Sequence, residues 1–106
     1  MEEVIEIEGA SGRFYRFIRG SLVSTPSDAG NFVFVTKEIP STIVCSGTTA
    51  DLGLAARFWN SVPAPAPETR FYIRRNVTKT MRQAEHDDIC LKHAPEMVIF
   101  EFDGLS

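Results

Sequence analysis

The sequence predicts a small α+β domain: a mostly antiparallel β-sheet packed on one side by two helices. Two observations lead there. Six short runs carry β-forming patterns, and two longer segments carry helix caps and helical spacing. The order ββ-ββ-α-β-α-β then leaves each helix as a connection between strands.

Val4 to Glu8 alternates apolar and acidic residues, the period-two pattern of a half-buried strand. Gly9-Ala10-Ser11-Gly12 forms a turn into a second strand over 13–19, completing a hairpin. The Pro, Ser, Asp and Gly of 24–30 mark a loop. Strands follow over 31–37 and 42–46, joined through Glu38-Ile39-Pro40-Ser41, where Pro40 cannot donate to a ladder.

Thr49 or Asp51 suits the N-cap of a helix reaching about Asn60, with Leu52, Leu54, Ala55, Ala56, Phe58 and Trp59 as its apolar surface. Trp59, Phe58 and the Pro63–Pro67 stretch read either as core cap or as an exposed patch, the core being the plainer reading. The proline-rich stretch 61–67 is an extended connector. Strand alternation returns over 70–76, Thr78 caps a second helix ending near His93 before Pro95, and 97–102 is the last strand.

One domain spans residues 1–106, the size of a single core. Composition is that of a globular protein, 43% apolar and 24% charged. No apolar stretch reaches the roughly 18–20 residues of a membrane span, so no membrane association is expected. The acidic first residues do not form a signal peptide, and Cys45 and Cys90 read as reduced thiols of a cytoplasmic protein. The net charge of −3 argues against a dedicated nucleic-acid binder, although arginines gather at 13, 16 and 19 and at 70, 74, 75 and 82.

Gly30-Asn31-Phe32 opens one apolar run, and Cys45-Ser46-Gly47-Thr48-Thr49-Ala50-Asp51-Leu52 closes the next and opens a helix. Over about residues 30–95 this order resembles the GIY-YIG nuclease family, the N-terminal hairpin being an addition. Gly47, Thr49, Asp51 and Leu52 keep the backbone part of that family's strand-to-helix element. The family tyrosines fall at Phe32 and Cys45, and its arginine at Ala55, with Arg57 nearest in sequence. Its metal-binding Glu, counted back from Pro95, falls at His86, with Glu85 beside it. A helix offset of two residues turns a side chain by about 200°, so Arg57 cannot stand in for residue 55. Phosphodiester cleavage needs an activated nucleophile and a cation on the phosphate.

The resemblance therefore implies a non-catalytic binding or interaction domain of unidentified ligand, without cofactor, on a degenerate nuclease scaffold. Its expected cleft holds Gly30, Phe32, Cys45, Gly47 and His86, with Thr49, Arg70, Tyr72 and Arg74 as further ligand-binding candidates. The alternative it implies is a divergent endonuclease using a divalent metal, Glu85, Arg57 and Tyr15 or Tyr72.

Three further patterns carry chemistry. His86, Cys90 and His93 share a helical face and, with Cys45 if the family geometry applies, make a candidate zinc set; the plainer reading is a buried thiol and two histidines near a helix end. A Cys45–His86 thiolate pair is a related option, without a third orienting group. Arginine alternates with tyrosine at Arg13, Tyr15 and Arg19 and at Arg70, Tyr72 and Arg74, as a surface stacking on nucleic acid would; the plainer reading pairs these arginines with Glu3 to Glu8. Asp88 falls within the apolar stripe of Val77, Met81, Ala84 and Leu91; it reads either as a remnant site residue or, more plainly, as a carboxylate bonding a loop backbone or an arginine. The partner and oligomeric state are left open.

Overall fold

The computed structural model describes residues 3–21, 25–37, 40–61 and 69–103. The strands are β1 (Val4–Glu8), β2 (Phe14–Arg19), β3 (Gly30–Thr36), β4 (Ile43–Thr49), β5 (Thr69–Arg75) and β6 (Met97–Phe102). Helix α1 (Leu52–Ser61) follows β4, and α2 (Lys79–His93) follows β5. The strands form one sheet in the order β1-β2-β5-β3-β4-β6, antiparallel except for the parallel pair of β4 and β6. The α+β class and both hairpins are as expected. Half of the 38–41 turn and nearly all of the 61–67 connector lie outside the described residues.

The helices do not share a face of this sheet. Phe32 and Phe34 of β3, with Phe71 and Ile73 of β5, turn toward α1 and pack with Leu52, Ala55 and Ala56. Their neighbours Val33, Val35 and Tyr72 turn the other way, into a second cluster with Tyr15, Phe17 and Ile89 of α2. Alternate residues of a strand point to opposite faces, so one helix lies on each side. The expectation of a single packed side is therefore corrected. The unbroken run Phe32-Val33-Phe34-Val35 is the pattern of a strand buried on both faces.

Helix α1 opens on Asp51, whose Oδ1 accepts the Gly53 N–H at 2.9 Å. Thr49 Oγ1 accepts the Asp51 N–H at 3.0 Å and donates to the Phe102 carbonyl at 2.7 Å, tying the helix start to β6. Trp59 stacks on Phe71 at 5.7 Å and Phe58 packs on Phe102 at 4.9 Å, so both belong to the core.

Helix α2 inverts the face expected of it. Val77, Met81 and Leu91 are exposed, while Arg82, His86 and Ile89 are buried. Arg82 can enter because its partners are in place. Its Nε and Nη2 donate to Glu101 at 2.9 and 2.7 Å, and Nη1 donates to the carbonyls of Asn76 and Val77 at 3.4 and 2.9 Å. Glu101 is held at a left-handed φ of 47°, its N–H bonded to Thr48 Oγ1 at 2.8 Å. On the other flank, Asp88 accepts from the Ser11 N–H, the Ser11 hydroxyl and the Tyr15 hydroxyl at 2.9, 2.6 and 2.7 Å. Thus Asp88 clamps the β1–β2 turn, the structural role expected of it. Thr78 is the N-cap residue but makes no side-chain cap bond; Ala94, at φ 43°, ends the helix with its N–H on the Cys90 carbonyl.

Two glycines are required by close packing. A Cβ on Gly47 would sit 2.3 Å from the Phe32 ring, and one on Gly30 would sit 2.1 Å from the Arg74 carbonyl oxygen. Gly47→Ala is expected to lower stability by about 1–3 kcal/mol in urea unfolding. Adding Phe32→Leu should recover part of that loss; an unchanged midpoint for Gly47→Ala would contradict this packing.

Candidate functional site

Helix α2 covers only part of its face of the sheet. It ends at His93, and Pro95 prevents its continuation. Beyond that end the sheet stays open as a groove of about 630 Å³, within the usual range for small-molecule sites. Its floor is Ile5 and Ile7 of β1, Tyr72 of β5, Val35 of β3 and Ile43 of β4. Ile7, Val35, Ile43 and Tyr72 are buried in the same cluster as Ile89, so the floor is a continuation of the core.

The rim is charged and mixed: Glu3, Glu6 and Glu8 face Lys37, Arg70, Lys92 and His93. Lys92 Nζ donates to Glu8 at 2.7 Å, and a His93 ring nitrogen lies 2.8 Å from the Glu8 carbonyl oxygen, fixing the helix end beside β1. At the other end, Glu3 accepts from Arg19 at 3.2 Å, from Arg70 at 3.3 Å and from the Tyr72 hydroxyl. The Tyr72 hydrogen bond, with the Arg70 and Arg19 charges, holds the Glu3 carboxyl below its ordinary range. Burial, followed by the Glu3 carboxylate, raises the Tyr72 phenol.

The sequence-predicted residues fall into separate places. Phe32, Cys45 and Gly47 are buried in or beside the α1-side core, and Gly30 packs against Leu52 and the β5 backbone. Strands β3 and β4 do pair through Phe32 and Gly47, but side chains fill the space between them and α1. Thr49 is spent on the start of α1. Arg57 is exposed on α1, whereas Glu85 of α2 accepts from Arg74 at 2.7 and 3.4 Å. His86 is buried beneath α2, its ring edge-on to Phe100 at 4.8 Å. Of these candidates, Arg70 and Tyr72 line the groove, as does His93 from the proposed metal set.

That metal set is not assembled. Cys45 belongs to the α1-side cluster, while Cys90 Sγ lies 3.5 Å from His86 Nε2 on the other side and His93 turns to β1. Among the described residues, no three His, Cys, Asp or Glu side chains are grouped to hold a metal ion. Burial pushes the Cys45 thiol up to about 12 and raises the Cys90 thiol, so neither is poised as a thiolate. The arginine–tyrosine stripes carry cation–π contacts, Arg19 over Tyr72 at 5.9 Å and Arg74 over Tyr15 at 5.6 Å. Their arginines meet acids, Arg19 and Arg70 at Glu3 and Arg74 at Glu85. No helix is long and apolar enough to cross a membrane, among the described residues.

Sequence reasoning missed Ile5, Ile7, Val35 and Ile43 as site residues. Alternation marked Ile5 and Ile7 as strand residues, and β-rich runs marked Val35 and Ile43, but nothing local says that α2 stops short of covering them. Comparison with known proteins adds no relative: no family model matches the chain, and no curated protein or solved structure matches it.

Burial lowers the His86 imidazole from its ordinary 6.5; the nearby Ser46 main chain opposes this, though among the described residues Nδ1 has no partner in hydrogen-bonding geometry. The unfolded chain then takes up this proton at higher pH than the folded one. Stability should fall as pH drops through 6.5, by up to about 1.4 kcal/mol per pH unit. Urea midpoints at pH 7.5 and 5.5 read this directly. His86→Leu should flatten the difference; an unchanged difference in that variant would contradict a neutral, buried His86.

Proposed function

We propose that this protein is a non-catalytic binding domain whose ligand lies in the groove beyond the end of α2. The carrying observation is the groove itself, a concavity of about 630 Å³ with an apolar floor and a charged rim. Ile7, Val35, Ile43 and Tyr72 give that floor a rigid base, because each is already part of the packed core. A preformed site of this kind loses little ordering entropy on binding. The chemistry it suits is a small molecule with an apolar body that reaches the charged rim.

This reading moves the binding site away from the cleft that the nuclease resemblance implies. The groups that cleavage would require are dispersed: Glu85 is engaged by Arg74, Tyr15 by Asp88, and Arg57 sits on the opposite face. General acid–base chemistry needs such groups within hydrogen-bond reach of one reacting atom. A nucleic-acid surface has less support, since Arg19, Arg70 and Arg74 are each paired with a carboxylate.

The test is binding of a neutral apolar probe, 1-decanol, followed by saturation-transfer NMR. The wild-type protein should bind it, and Ile5→Lys, at a half-buried floor position, should weaken binding by about tenfold or more in a variant that stays folded at the assay temperature. Absence of decanol binding, or equal binding by a folded Ile5→Lys variant, would overturn the groove as the site.

A further inference from the structure

We infer that the groove ends in an anion receptor, formed by Arg19, Arg70 and Tyr72, that Glu3 of the same chain fills as an internal latch. This inference rests on the groove reading and names the ligand class: an amphiphile with an apolar tail and a compact anionic head, carboxylate or phosphate.

Three donors from two strands converge on one carboxylate. Arg19 Nη1 and Arg70 Nη1 lie 3.2 and 3.3 Å from the two Glu3 oxygens, and the Tyr72 hydroxyl donates to the Arg70-bound oxygen. Arg19 and Tyr72 face each other across the β2–β5 pair, with the guanidinium 5.9 Å over the Tyr72 ring. Tyr72 is 2% exposed, so the phenol is a fixed donor at the groove floor. Guanidinium forks and a phenol are the groups that recognise carboxylate and phosphate oxygens.

Two features mark Glu3 as a replaceable occupant. Among the described residues, Arg70 Nε is buried without a hydrogen-bond partner, so the receptor holds a donor that Glu3 does not satisfy. The Glu3 side chain is 41% exposed and both its arginines are about as open, and ion pairs of that exposure hold weakly. Glu3 also lines the groove beside Arg70 and Tyr72. A ligand head arriving there would exchange one carboxylate for another, while its tail would bury against Ile5 and Val35. The exchange is close to neutral for the receptor, so tail burial decides the outcome.

Calorimetric titration with decanoate, decyl phosphate and 1-decanol tests this on wild type, Glu3→Gln and Arg70→Gln. Removing the latch in Glu3→Gln should tighten decanoate or decyl phosphate by about tenfold and leave decanol unchanged. Which of the two anions gains more identifies the head group. Arg70→Gln, checked for an unaltered melting curve, should bind the anions no better than decanol. If decanol binds but Glu3→Gln gives the anions no gain, the receptor is overturned and the groove reading stands. If 1-decanol does not bind the wild type, the groove reading falls and the receptor with it.

Discussion

Strand β3 is buried on both faces, and the rest of the structure answers to that. It pairs with β4 on one side and β5 on the other, and its residues from Gly30 to Val35 are all buried. Phe32 and Phe34 demand an apolar cover on one face, and Asn31, Val33 and Val35 a different cover on the other. Helix α1 supplies the first with Leu52, Ala55, Ala56 and the rings of Phe58 and Trp59. Helix α2 supplies the second. Because that face also carries Asn31, Ser46 and Thr48, α2 meets it with Arg82, whose donors have partners. Asn31 Nδ2 donates to the Arg82 carbonyl at 2.8 Å, Asn76 Nδ2 donates to Asn31 Oδ1 at 3.2 Å, and Arg82 bridges onward to Glu101. Such a network rigidifies a fold only when its members are satisfied, and it fixes where α2 lies.

The groove follows from that placement. Asp88 on the β1–β2 turn, Glu85 on Arg74 and Arg82 on Glu101 pin α2 over one part of the sheet. The helix stops at Ala94, leaving Val35, Ile43 and Tyr72 at the bottom of a concavity instead of under a helix. Fold and candidate site are thus one consequence of where a single helix is fastened.

Much of the fold was legible in local patterns. Period-two alternation marked β1 and β5, Thr49 or Asp51 marked the start of α1, and Pro95 marked the limit of α2. The two-sided packing was also written in the apolar run of β3, though the count of helices alone suggested one side. The face of α2 was not legible. Its apolar residues Met81 and Leu91, with Val77 just before it, lie outward, and what buries Arg82 and His86 is contact with residues distant in sequence, Glu101 and Phe100. Side-chain type predicts burial only where partners are unspecified. The site suffered the same blindness. Gly30 and Gly47 were expected in a cleft through the family resemblance, whereas here they admit the Arg74 backbone and the Phe32 ring. Arg70 and Tyr72, flagged by alternation with aromatics, do reach the groove, but facing an acid of the same chain.

The most direct measurement is amide chemical-shift mapping of the ¹⁵N-labelled protein during decanoate titration. The account predicts shifts concentrated at Ile5, Ile7, Val35, Ile43 and Tyr72, with the Gly30 and Gly47 amides unmoved. Shifts centred on Gly30 and Gly47, or spread without relation to the groove, would contradict it.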